Sequence, residues 1–288
     1  MSSAPSQPKT AVEFFNAGAA QYEEATGGCT REMGLKLLDH PQLSGVFSPD
    51  AKVLDNACGT AIMAEEIAKR CAEQGIEIPS IASVDAAEKM VEISKKKLEG
   101  AKNAEKLSFA TMPGEKLDYE DGAFSHSITN LGILFFKDGE AGAKEIYRTL
   151  KEGGVAAVTT WADLGYPDAV IRPAQRAVRP GEPVFKLPIP ETWFNASHVE
   201  ETFKNAGFKG VEVFETRAHY GGADVEDLTR LFVSKFPGVT DGYNEAEKER
   251  YRAEVRKLVE GSAEAYKRPS GEDGLGVPMR GIVAICTK

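Results

Sequence analysis

Two carboxylates thirty positions apart are the residues of this 288-residue chain best suited to hold a small ligand. Asp55 stands in Val53-Leu54-Asp55-Asn56-Ala57-Cys58-Gly59-Thr60-Ala61, where a strand runs into a turn of small residues and then a helix. Small residues at 57, 59 and 61 let the backbone approach a ligand closely, and the helix start leaves N–H groups free. Asp85 closes the next apolar run, Ser83-Val84-Asp85-Ala86, one strand–helix unit later. A carboxylate there can accept both hydroxyls of a ribose, as nucleoside cofactors require on such folds, or it can cap the helix starting near Glu88. A dinucleotide dehydrogenase also wants an acid at this point. It needs G-x-G-x-x-G for the pyrophosphate as well, and this loop does not supply it.

Proton-transfer groups are sparse. His126 lies within a strand and reads as a core or sheet-surface residue, His198 follows Ser197 at a helix start, and His40 falls in a loop. His219 and Tyr220, ending a strand, are the better catalytic candidates. Cys29, Cys58, Cys71 and Cys286 have neither metal-ligand spacing nor the density of a disulfide scaffold, so they read as reduced thiols and no metal is expected.

The elements that must position these groups follow an alternating pattern. Strands are expected at 52–56, 80–85, 107–111, 124–131, 154–161, 210–220 and 280–287, with helices at about 61–74, 87–99, 139–151 and 197–206. This is the signature of a mostly parallel sheet with helices on both faces. The apolar side of the second helix is formed by Met90, Val91, Ile93 and Leu98. Residues 1–9 read as a frayed tail, and two helices at about 10–24 and 29–40 precede the sheet. Residues 162–195, rich in proline (Pro167, Pro173, Pro180, Pro183, Pro188, Pro190), and 221–279 interrupt the alternation. The second holds an amphipathic stretch at 224–236 and a charged helix at about 244–268. Ligands on open α/β sheets bind beyond the carboxyl ends of the strands, so both insertions are read as caps on one domain.

A net charge of −9, with no cluster of Lys and Arg beyond the solvated Lys95-Lys96-Lys97, argues against a nucleic-acid partner. No apolar run approaches the ~20 residues that span a bilayer, and the first residues lack the apolar core of a signal peptide. A cytoplasmic protein with no membrane partner is the expectation. The 244–268 helix offers a face for a homodimer.

Asp55-Asn56-Ala57-Cys58-Gly59-Thr60, with Asp85 and then Glu115-Lys116-Leu117-Asp118-Tyr119-Glu120-Asp121-Gly122-Ala123-Phe124, resembles the class I S-adenosylmethionine-dependent methyltransferases. Within them the chain is similar to small-molecule enzymes of the ubiquinone-biosynthesis and fungal secondary-metabolism type. The string Leu54-Asp55-Asn56-Ala57-Cys58-Gly59 resembles the fungal group that includes thiol methyltransferases acting on dithiol toxins. The resemblance covers about 12–160 and implies a Rossmann-like, seven-stranded α/β fold. It implies that Asp55 reaches the methionine amino group, that Ala57, Cys58 and Gly59 form the floor, and that Asp85 binds the ribose with Ala86 beside the adenine. Met112 and Pro113 would pack on the adenine face, the backbone near Gly114 would meet its polar edge, and Asn130 and Leu131 would lie along the methionine. Tyr22 would belong to an N-terminal lid, and S-adenosyl-L-homocysteine would be the product.

The chain departs from the family pattern where Ala57 and Ala61 replace loop glycines, which is tolerable if φ is negative at both. Pro113 stands where many relatives bond the adenine amino group with Asp, and Ser125 where many place an Asp. Phe135, Trp161, Trp193 and Phe194 are candidates for an apolar substrate pocket or for packing between cap and sheet. The expected activity is methyl transfer to S, O or N of a small molecule, driven by alignment and exclusion of water. A non-catalytic regulatory protein of the same fold, or a protein methyltransferase, are the alternatives.

Overall fold

The computed structural model describes residues 10–187, 189–236 and 238–288; the tail read at 1–9 and Pro188 lie outside them. Thr10 and Glu13 form a capping box that starts α1 (Ala11–Gly18), each side chain accepting from the other's backbone N–H. A 3-10 turn leads to α2 (Tyr22–Ala25), and Gly27 and Gly28, both at positive φ, turn the chain into α3 (Cys29–Leu38).

β1 (Lys52–Asn56), α4 (Ile62–Gln74), β2 (Ser80–Asp85), α5 (Glu88–Leu98) and β3 (Leu107–Thr111) build one half of the sheet. β4 (Phe124–Asn130), α6 (Gly139–Thr149) and β5 (Leu150–Asp163) build outward from β1 on the other side. Every residue of β4 is buried, odd and even alike, so both of its faces are covered. After β5 come α7 (Arg172–Val178), α8 (Ala196–Ala206), β6 (Gly210–Gly222), α9 (Val225–Ser234), α10 (Glu245–Ser262), β7 (Glu264–Lys267) and β8 (Asp273–Thr287). The strand order is β3-β2-β1-β4-β5-β8-β6, parallel from β3 to β5, with β8 antiparallel to both its neighbours. The order reverses between β1 and β4. Asn56 and Asn130 therefore end their strands at the crevice where such sheets bind ligands.

The α/β fold with a mostly parallel sheet and helices around it is as expected, but the sheet has eight strands, not seven. β7 pairs with the first residues of β8, from Glu264↔Gly276 to Lys267↔Asp273, inside the segment read as cap. At four residues with alternating partial burial it carries too little apolar signal to register in the sequence. For the same reason α10 stops at Ser262, short of the expected 268.

The two insertions pack as one layer. Arg179 after α7 donates two hydrogen bonds to Glu247 of α10, at 2.9 and 2.8 Å. Tyr166, Tyr220, Phe232 and Phe236 bring their rings to 4.7–5.8 Å of one another. Tyr251, Val255 and Val259 of α10 are fully buried in this layer. Among the described residues no helix is long and apolar enough to cross a membrane.

Candidate functional site

β1 delivers Asp55 to the crevice almost wholly buried, at 1% exposure. The chain then passes three times through the left-handed region, at Ala57 (φ +57°), Gly59 (+55°) and Ala61 (+59°). Negative φ at the two alanines is thus overturned. Crowding of Cβ against the carbonyl costs about 1–2 kcal/mol at each. The loop keeps this shape because its backbone is tied on several sides. Cys58 N–H donates to Val84 O at 2.9 Å, Gly59 N–H to Asp85 Oδ2 at 2.9 Å, and the Ser94 hydroxyl to Gly59 O at 2.8 Å.

Asp85 also accepts from Ala87 N–H through Oδ1 at 2.8 Å, so the start of α5 and the loop after β1 share one carboxylate. Asp85 stands close enough to raise the cost of ionising Asp55. Burial, and then the charge of Asp85, push the Asp55 carboxyl up to about 7, while a hydroxyl contact from Ser83 at 3.5 Å offsets little. Burial likewise raises Asp85. A crevice with two desolvated acids favours a cationic ligand, which would favour the charged form of Asp55.

Asp55, Ala57, Cys58 and Gly59 line a cavity of about 20 Å³ together with Tyr22 and Asn130. That is room for a water molecule and far less than a nucleoside needs. Thr30, Ile62 and Met63 line it too, and no motif in the sequence marks them. Tyr22 shares a hydrogen bond with Thr30 Oγ1 at 3.4 Å. Asn130 Nδ2 donates to Thr30 O at 2.9 Å, and Asn130 Oδ1 accepts from Thr159 Oγ1 at 2.7 Å. The same Thr159 oxygen accepts from Leu131 N–H at 2.8 Å, which fixes Leu131 at φ +55° directly beyond β4.

On the other side of Asp85, Met112 N–H donates to Asp85 O, which sets Met112, Pro113 and Gly114 beside Ala86 at the ends of β2 and β3. Gly114 is required: a Cβ would sit 2.1 Å from Phe136 Cζ and 2.7 Å from Asn56 Oδ1. α1 lies along this flank. Asn16 Oδ1 accepts from Lys89 N–H, Ala19 packs on Ala87 and Met90, and Phe15 meets Phe135 edge-on at 4.9 Å.

The remaining expected site residues lie away from the cavity lining. Trp193 is buried against α6, where a Cβ on Gly139 would be 2.3 Å from its ring, and its edge meets His198. Trp161 is buried opposite Gly281 in the β5–β8 ladder, and Phe194 ends the 3-10 turn that holds Trp193. His219 donates from its backbone N–H to Glu32 Oε2 at 2.8 Å, and its ring bridges Glu32 (3.1 Å from Nδ1) and Glu264 (2.9 Å from Nε2) while stacking on Tyr266. Tyr220 donates its hydroxyl to Ala25 O at 3.0 Å. The His219 ring nitrogens and the Tyr220 hydroxyl proton are taken up in tying α3 and the α2–α3 link to the sheet. His126 is held in the sheet beside Ser125, and burial lowers its ring to about 4. Among the described residues no group of three or more His, Cys, Asp or Glu side chains is arranged to hold a metal ion.

Residues 41–167 match the model of the ubiE/COQ5 methyltransferase family. The methyltransferase ktnA of Aspergillus niger is 28% identical over 251 residues, covering 78% of this chain and 80% of that protein. The methyltransferase tpcH of Aspergillus fumigatus is 26% identical, with 82% and 83% covered. A ubiquinone/menaquinone biosynthesis C-methyltransferase UbiE of Geotalea daltonii is 33% identical across 38% of this chain and 44% of its own. Among solved structures, the (4+2)-cyclase SpnF aligns with a TM-score of 0.56 at 16% identity over 96% of both chains, a likeness of fold.

Proposed function

We propose that this chain, an S-adenosylmethionine-dependent methyltransferase, methylates a nucleophilic S, O or N atom of a small molecule, a secondary metabolite, in a covered pocket. One observation carries the reading: Asp85 grips the Gly59 N–H while a second buried acid, Asp55, stands beside it without a cation. The cofactor's ammonium and sulfonium charges suit that pair. When bound, the cofactor supplies a methyl carbon already activated by a positive sulfur.

The chain's own residues then have definite tasks. Asp55 receives the ammonium group and Asp85 the ribose hydroxyls, with Ala57, Cys58 and Gly59 as the floor. Ala86, Met112, Pro113 and Gly114 flank the base. Asn130 and Leu131, fixed by Thr159, line the methionine side. Tyr22, with α1 and α2, covers the mouth and excludes water. Rate enhancement rests on holding the acceptor in line at near-attack distance. With His219 and Tyr220 tied into structural hydrogen bonds, an acceptor that is already a good nucleophile near neutral pH, such as a thiol, fits best. The fungal relatives are themselves methyltransferases by name, and the layer formed by α7, α9 and α10 supports an enclosed rather than a protein substrate.

Incubating the protein with methyl-labelled cofactor and panels of thiols, phenols and amines, with products identified by mass spectrometry, tests this. Labelled S-, O- or N-methyl products support it. Label appearing only on carbon, as the name of the bacterial relative would suggest, or only on a protein, would replace it.

A further inference from the structure

The segment that covers the crevice is fastened by one side chain more than by any other. Glu23 of α2 accepts from the Thr60 hydroxyl at 3.0 Å and from Lys97 Nζ at 2.6 Å through Oε1, and from Arg31 Nη2 at 2.6 Å through Oε2. Arg31 continues to Glu65 at 2.6 Å and to Glu66, and Lys97 to Glu65 at 2.7 Å and to Thr60 O at 3.4 Å. The covering segment, α3, the loop after β1 and the last turn of α5 thus meet at a single carboxylate, and α4 joins through Arg31 and Lys97.

We infer that Glu23 is a positioning residue for the cofactor, latching the N-terminal segment onto the ligand loop and so setting how long the cofactor stays bound; this rests on the proposed cofactor reading. Tyr22, its chain neighbour, lines the cavity, and its ring lies 3.6 Å from the place a Cβ would occupy on Gly59. With the Tyr22 ring this close over Gly59, a ligand resting on that loop requires α2 to move. Lifting α2 breaks the three Glu23 bonds. Closing it restores them and pins Thr60 in a loop that also bends through two left-handed alanines. Loop shape and closure are therefore coupled through Thr60, and a ligand resting on the loop shares in that coupling.

The network also makes the test clean. Arg31 and Lys97 keep the carboxylates of Glu65 and Glu66 when Glu23 is neutralised, so Glu23→Gln strands no buried cation. Release of S-adenosylhomocysteine, followed by stopped-flow fluorescence, is expected to quicken about tenfold in Glu23→Gln, the loss of roughly one charge-assisted contact. Thr60→Val is expected to act in the same direction, and the double variant to add little to either, because both open the same latch. Amide exchange across residues 10–28 in the ligand-free protein should rise with Glu23→Gln. A release rate and an exchange profile within twofold of the parent would overturn the latch, as would strictly additive effects of the two substitutions. Failure of the parent protein to bind S-adenosylhomocysteine would instead remove the cofactor reading, and the exchange measurement would still decide whether Glu23 holds the segment down.

Discussion

Asp85 accepts hydrogen bonds from Gly59 N–H at 2.9 Å and from Ala87 N–H at 2.8 Å, so one carboxylate sets the loop after β1 against the helix after β2. Ribose binding and helix capping are usually rival explanations for an acid at this position. Here Asp85 Oδ1 closes a short turn onto Ala87, the residue that precedes α5, while its Oδ2 holds the loop.

Removing that carboxylate should therefore damage binding twice, by deleting a ligand contact and by freeing the loop. Asp85→Ala leaves two N–H groups without their partner, at about 1–3 kcal/mol for each that remains buried. Affinity for S-adenosylmethionine by calorimetry is expected to fall about 100-fold or more. Asp85→Asn, which keeps an acceptor oxygen, should lose less. Binding by the alanine variant within threefold of the parent would show that the ribose is held elsewhere.

Asp55 makes binding depend on pH. Its carboxyl is pushed up to about 7 by burial and by Asp85, so the free protein increasingly holds a proton there as pH falls below that value. A bound ammonium group prefers the ionised acid, and binding must then displace the proton. Affinity should weaken toward low pH, by up to about tenfold per pH unit below 7, and level off above it. Asp55→Asn should bind more weakly and without that slope. A flat profile in the parent protein would place the ammonium away from Asp55.

The elements that carry these acids were legible because their signals are local: an apolar run, a small-residue turn, an amphipathic helix. β7 was not, since four half-exposed residues pair only once β8 is in place. Alanine at 57 and 61 is tolerable at negative φ, and what holds both at positive φ is remote in sequence: Cys58 and Gly59 donate to Val84 and Asp85, and Ser94 of α5 donates to Gly59 O. Its place at a strand end marks His219 as a catalytic candidate, and nothing local shows its hydrogen bonds. Its partners Glu32 and Glu264 are 187 and 45 positions away, and no spacing rule joins them. Thr30 and Glu23 reach the site only through the way α2 and α3 fold back onto the sheet.

Ala57 offers a direct measure of strain in the loop. It is only partly buried and holds φ at +57°, so Ala57→Gly gives up little packing while relieving the clash. Unfolding in urea should show a gain of about 0.5–1 kcal/mol for glycine, and a loss of about 2 kcal/mol or more for Ala57→Val, whose branched Cβ suits this region worst. A glycine variant less stable than the parent would mean that the alanine methyl contributes more than its backbone costs.

His219 gives the fold a pH dependence of the same sign as Asp55 and Asp85, whose pKa values are also raised. Burial opposes charging the ring, but its bonds to Glu32 and Glu264 outweigh this, and its pKa lies above the ordinary 6.5. A group raised in this way stabilises fully below its unfolded value and loses that contribution as pH rises through its folded value. Stability should therefore decline as pH climbs from about 6.5, and His219→Gln should flatten that portion of the profile. Equal slopes in both proteins would assign the decline to other groups.

Trp193 decides between packing and substrate contact. Its ring fills the space over Gly139 at 6% exposure, and it meets His198 edge-on at 4.8 Å. A side chain in that position belongs to the junction of α6 with the 3-10 turn before α8. Trp193→Ala should then cost about 3–5 kcal/mol of stability, as large aromatic truncations in cores do, and leave cofactor affinity near that of the parent. Trp193→Phe should recover part of the loss. If the alanine variant instead keeps its stability and raises the acceptor's KM several-fold, the indole faces the substrate, and the pocket extends toward α6 rather than ending at Asn130 and Tyr22.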